Sequence, residues 1–135
     1  MIPKFRAWSK QERRLILSED ILAIDYENEE IDAQKIYFED GLPVERDIYT
    51  YGFDNIELMQ STGLTDKNGR EIFEGDIIDS TDGFLTGVIE FRVSLGMFIS
   101  DLVEYNNFER LCNVASSRRI IGNIWEHPEL AEVSS

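Results

Sequence analysis

Between residues 58 and 126 the chain is cut into short apolar runs by glycine-bearing turns, and no other feature restricts its fold as strongly. Ile56 to Thr62 reads as a strand ending at Gly63. Asp66-Lys67-Asn68-Gly69-Arg70 contains Asn-Gly, a pair that tolerates positive φ in a tight reversal. Glu71-Ile72-Phe73 is a short strand and Glu74-Gly75-Asp76 a second bend. Ile77-Ile78 opens a strand that stops at Thr81-Asp82-Gly83. Phe84 to Val93 follows, with Gly87 inside it as a bulge or close-packing point. Ser94-Leu95-Gly96 turns the chain into Met97 to Tyr105, and Ile120 to Trp125 forms a last strand. Short strands recurring at intervals of about ten residues predict a small barrel or sandwich.

The preceding part, 1–57, is less regular. In Lys4-Phe5-Arg6-Ala7-Trp8, Phe5 and Ala7 share one face of a strand and Lys4, Arg6 and Trp8 the other. Polar Ser9 to Arg14 then gives way to Leu15-Ile16-Leu17, which suits a hairpin. Ile21 to Tyr26 and Lys35 to Phe38 suit further strands, although Asp20 to Asp25 also fits a single helical turn. Gly41-Leu42-Pro43 reads as a loop. Pro128 suits a first helical position, so Pro128 to Val133 is expected to be a terminal helical turn. The 135 residues therefore read as one mainly-β domain in three parts: an acidic β-rich extension (1–57), a barrel part (58–126) and a tail (127–135).

Charge narrows the partners. The net charge is −14, divided as +4 over residues 1–18, −11 over 19–57 and −7 over 58–135. Such a balance repels polyphosphates, so nucleic acid is a disfavoured partner. The acidic middle reads first as a solvated face, and second as a surface that competes with nucleic acid for a basic protein. No apolar run approaches the length of a membrane span, so no membrane is expected. The opening residues lack a secretory pattern. Cys112 stands alone, which excludes an intrachain disulfide and makes a reducing cytoplasm the simplest location.

The string Leu58-Met-Gln-Ser-Thr-Gly-Leu-Thr-Asp-Lys-Asn-Gly-Arg-Glu-Ile-Phe-Glu-Gly-Asp-Ile-Ile78 closely resembles the signature of the YopX family, whose members are encoded by phages and prophages. Lys4-Phe-Arg-Ala-Trp8 resembles that family's opening strand and Ile121-Gly-Asn-Ile-Trp-Glu-His-Pro-Glu-Leu130 its closing segment. The resemblance implies a β-rich fold with an SH3-like small barrel, a prophage origin and a bacterial cytoplasm. It implies no reaction. The residues explain the signature without chemistry: Gly63, Gly69 and Gly75 stand where the backbone turns, and Leu64, Ile72, Phe73, Ile77 and Ile78 are the apolar residues between the turns.

Candidate chemistry is sparse. His127 and Cys112 are too few for a structural zinc site, so no metal or cofactor is expected. An EF-hand alignment on Gly69 puts Leu64 and Gly75 where ligands belong and fails. Glu71, Glu74, Asp76 and Asp79 are the best enzymatic candidates, for a divalent cation or an acid/base pair, although solvated turn residues are the plainer reading. His127 reads as an exposed or capping histidine and Cys112 as a small core residue. No Gly-rich phosphate loop is present. The aromatics Phe5, Trp8, Tyr37, Phe73, Phe84, Phe91, Phe98 and Trp125 read mostly as core. Arg13-Arg14 and Arg118-Arg119, with Lys4, Arg6 and Trp8, form the candidate binding set, as on small barrels that hold single strands.

Three functions follow in order. The first is a non-enzymatic phage accessory protein that binds another protein or assembles with itself as a homo-oligomer, through strand edges or an apolar patch. The second is a weak nucleic-acid-binding barrel using Arg13, Arg14, Arg118, Arg119 and Trp8. The third is a carboxylate-dependent enzyme.

Overall fold

The computed structural model describes residues 3–133, which are mainly β with curled sheets and, among the described residues, one short α-helix. The chain divides into two units, Pro3–Met59 and the part from Gln60 onward. That division lies beside the change of charge pattern at residue 57.

The N-terminal unit holds β1 (Phe5–Ser9), β2 (Arg14–Ile16), β3 (Ile21–Asp25), β4 (Glu30–Glu39), β5 (Leu42–Gly52) and the start of β6 (Ile56–Thr65). β1 and β2 form the expected hairpin, with Ala7 opposite Ile16 and Ser9 opposite Arg14. β1 lies between β2 and β6, and a second sheet has the order β3-β4-β5. Ala7, Ile16, Ile31, Ala33 and Ile56 are buried together, with Ile21, Ile24, Tyr51, Phe53 and Leu58 packed on them. The segment from Ile21 is a strand, preceded by a 3₁₀ turn at Ser18–Asp20, so the helical alternative falls away. Pairing with β4 supplies the ladder bonds that one isolated helical turn would lack.

The second unit holds the end of β6, β7 (Glu71–Phe73), β8 (Asp76–Asp79), β9 (Gly87–Arg92), β10 (Met97–Leu102), β11 (Phe108–Arg110), α1 (Leu111–Val114) and β12 (Arg119–Asn123). Its main sheet has the order β11-β10-β9-β8-β12, and every pair is antiparallel. Ile72, Ile78, Ile89, Leu111 and Ala115 form its core. Turns fall at Gly69 and Gly75, with φ of 81° and 84°, whereas Gly63, at φ 76°, lies within a strand where the register is irregular. β6 runs through Gly63 to Thr65. Gly87 is a close-packing point: a Cβ there would collide with Ser100 Oγ on the neighbouring strand. The terminal turn is a 3₁₀ turn over Pro128–Ala131, with proline in its first turn.

Three expectations are corrected. The loop at Gly41-Leu42-Pro43 is instead a two-residue reversal, Asp40-Gly41, with Leu42 and Pro43 already in β5. Cys112 is exposed, because α1 and the 3₁₀ turn that follows it bury Leu111 and Ala115 and leave Cys112 outside. Phe84 and Phe91 are exposed as well, while Trp8 and Phe73 are buried. Phe84 lies before β9 begins, so no sheet face takes it in.

Candidate functional site

The most distinctive surface is built by β4 and β5. Asp40 and Gly41 have φ of 52° and 78°, the left-handed pair that a two-residue hairpin needs to match strand twist. Below this tip, Glu30 to Tyr37 pair continuously with Gly52 to Glu45. The register then shifts by one residue, leaving Val44 as a bulge beside the Phe38–Pro43 pair. β3 reaches only as far as Ala33. Among the described residues, Gln34 to Ile48 is therefore a two-stranded arm without a third strand.

Each face of the arm has its own chemistry. On the face continuous with the core, Ile31 and Ala33 are buried at the base with Tyr49 opposite Ala33, and Lys35, Asp47, Tyr37 and Glu45 follow toward the tip. Lys35 Nζ lies 5.4 Å from the Tyr37 ring centroid, and Tyr49 Oη donates to Asp47 at 3.2 Å. The neighbouring Tyr49 hydroxyl, with desolvation and Asp47, pushes the Tyr37 phenol up to about 12. On the other face, Thr50 donates to Asp32 at 2.7 Å and Arg46 to Gln34 at 3.4 Å. Apolar side chains are left in water along the arm: Phe38 is 64% exposed, Leu42 67%, Val44 58% and Ile48 54%. A lone two-stranded ribbon is marginally stable in water, and this one carries apolar surface that its own chain does not cover.

Of the arginine candidates, Arg14 and Arg118 pair with side chains of their own units. Arg13, at φ 54°, closes the β1–β2 turn, its N–H donating to Ser9 O at 2.8 Å. Arg14 reaches Tyr51 Oη at 2.9 Å and Glu12 at 3.1 Å. The Tyr51 hydroxyl, then Arg14 and Ser9, hold the Glu12 carboxyl below its ordinary value despite partial burial. Arg118 is buried and donates to both oxygens of Glu109, at 2.9 and 3.0 Å. Arg119 is exposed at the start of β12, and Trp8 is buried in β1. Arg13, Arg14 and Trp8 belong to one unit and Arg118 and Arg119 to the other.

The four candidate carboxylates accept hydrogen bonds from nearby backbone and hydroxyl donors. Glu71 accepts from the Ser61 hydroxyl. Glu74 Oε1 accepts from Gln60 N–H at 2.7 Å, and Asp76 Oδ2 from Phe73 N–H at 2.8 Å. Asp79 Oδ1 accepts from Thr86 Oγ1 at 3.0 Å. Among the described residues, no group of three or more acidic, histidine or cysteine side chains is arranged to hold a metal ion. His127 Nδ1 accepts from Asn123 N–H at 3.2 Å and lies over Gly122, a capping arrangement that closes the turn after β12.

Asp66 was not singled out by sequence, yet it ties two segments together. Its Oδ1 accepts from Asn68 and Arg70 N–H at 2.9 Å each, and its Oδ2 from Ile120 N–H at 3.0 Å. Burial alone raises its pKa, but these backbone donors outweigh burial and hold it below the ordinary aspartate value. An Asp at the first position of an Asn-Gly reversal was the available signal for the local half of this role. The bond to Ile120, far along the chain, had none.

The family profile described as YopX protein matches residues 4–132, almost the whole of this architecture. The chain belongs to the YopX family. Its structure is similar to the crystal structure of protein EF1440 from Enterococcus faecalis, with TM-score 0.66 and 30% identity, covering 98% of this chain and 99% of that one. It is also similar in fold to the yopX protein of Bacillus subtilis, with TM-score 0.57 and 21% identity over 94% of this chain and 96% of that one. No curated protein matches the chain. No helix of the described residues is long and apolar enough to cross a membrane.

Proposed function

We propose that this YopX-family chain is a non-enzymatic protein-binding module, of phage or prophage origin, that uses the β4–β5 arm as its contact surface. The observation that carries this reading is the exposed apolar side chains on the arm: Phe38, Leu42, Val44 and Ile48. Ordering these residues in water gains nothing for the isolated chain, whereas covering each stabilises a complex by on the order of 1–2 kcal/mol. The carboxylates Glu71, Glu74, Asp76 and Asp79 are each held by backbone or hydroxyl donors of their own unit, which supports a structural role for them. The Arg118–Glu109 pair and the −14 charge likewise favour protein over nucleic acid.

The test uses tagged chain recovered from induced bacterial cells. Any co-recovered protein, or a second copy, is purified and bound again to the wild type and to a Phe38→Ser/Leu42→Ser variant. The reading expects binding to fall at least about tenfold in the variant, from two lost apolar contacts, while its melting temperature holds. Equal binding by both proteins, or a chain that associates with nothing, contradicts it.

A further inference from the structure

Among the described residues the outer edge of β5 is long and unpaired, and the same arm carries the exposed apolar residues, so edge and arm form one surface. We infer that a second copy of this chain docks on that edge, antiparallel and centred on Ile48, joining two arms into a four-stranded ribbon. The inference rests on the arm being the contact surface, and adds the partner and the register.

Backbone geometry sets which groups are offered. Phe53 N–H donates to Glu29 O at 2.8 Å, one step beyond the Glu30–Gly52 pair. Bonded pairs alternate along an antiparallel ladder. Tyr51, Tyr49 and Asp47 therefore turn their N–H and C=O groups to β4, and Thr50, Ile48 and Arg46 turn theirs outward. Two identical antiparallel strands exchange bonds only when the residues facing each other have the same parity. The two-fold axis must then pass through a residue, not between two residues.

Charge selects which residue. Centring on Glu45 sets Glu45 against its own copy. Centring on Arg46 sets Arg46 against Arg46 and Glu45 against Asp47. Centring on Asp47 sets Asp47 against Asp47. Like charges directly opposite destabilise a strand pair, the more so between chains of net charge −14. Centring on Ile48 places Ile48 on Ile48, Asp47 on Tyr49, Arg46 on Thr50 and Glu45 on Tyr51. No like charges meet, and the Asp47–Tyr49 contact repeats between chains the bond already made within one. Registers nearer either end of β5 shorten the ladder. The charged residues that ordinarily guard an edge against pairing thus reject the registers centred on Glu45, Arg46 and Asp47, and ladder length favours Ile48 over the registers beyond it.

Sedimentation velocity on the full chain tests this with three variants. Thr50→Arg sets an arginine against Arg46 twice and should weaken the dimer about tenfold. Adding Arg46→Glu to Thr50→Arg converts both repulsions to attractions and should restore it. Ile48→Pro removes an outward donor but no β4–β5 bond, and should give a folded monomer by circular dichroism. A dimer indifferent to Thr50→Arg and Ile48→Pro overturns the inference. So does a wild type that stays monomeric at millimolar concentration. If that monomer still binds a host protein in a Phe38- and Leu42-dependent way, the arm reading survives and the second copy as its occupant does not.

Discussion

Asp66 shows how much one carboxylate can organise. It is buried, ionised and bonded to three backbone N–H groups from two separate segments. Asn at this position keeps one acceptor oxygen and turns an amide donor toward another donor. Asp66→Asn should therefore cost about 2–4 kcal/mol at neutral pH in a denaturant titration. The pH dependence has a definite sign. A carboxyl held below its ordinary value contributes stability above its unfolded pKa of about 4 and loses that contribution as pH falls through its lower folded value. Wild type and Asp66→Asn should thus converge in stability in acid and diverge toward neutrality. A constant difference across that range would show that the ionised form is not what holds the turn. Gly87 carries a simpler constraint. Its missing Cβ leaves room for the buried Ser100 side chain, and Gly87→Ala should destabilise by about 1–3 kcal/mol through overpacking. An unchanged denaturation midpoint would mean that β9 and β10 shift apart without cost.

At the scale of the element, legibility followed burial. β7 and β8 lie in a unit whose strands are packed on a shared core, so short apolar runs between glycines located both. The turn at Asn68-Gly69 and the proline-led terminal turn were legible for local reasons, since each residue presets its own backbone angles. The arm is poorly legible in the sequence. Its alternation is visible at Ile31 and Ala33, where β4 covers the core, and fades beyond, where both faces are wet and no pattern is required. Asp40-Gly41 was the one remaining signal, and the adjacent Pro43 drew the reading to a loop. α1 and β11 span four and three residues and have too little periodicity to read, which is why Cys112 was placed inside. The arginine pairs were found as residues, but their engagements with Glu109 and Tyr51 depend on tertiary structure that spacing does not report. The element-level prediction concerns Arg118. Arg118→Ala leaves Glu109 without its bidentate partner and should cost about 2–3 kcal/mol, measurable as a lowered melting temperature. No change on melting would mark the pair as a surface contact.

For the whole molecule, the net charge of −14 sets the sign of every association. Two copies repel at long range, and salt screens that repulsion within a Debye length of about 8 Å at physiological strength. Added salt should therefore strengthen contacts made through apolar arm residues, while nucleic-acid binding would weaken steeply. An association that dissolves as salt rises would point away from the arm and toward charge pairing. The most direct measurement replaces Ile36–Arg46 by Asn-Gly, closing the ladder at the Lys35–Asp47 pair, and compares the trimmed and full chains by sedimentation equilibrium and thermal melting. The trimmed chain should melt within a few degrees of the full one and no longer associate. A trimmed chain that associates as before, or that cannot fold, would contradict it.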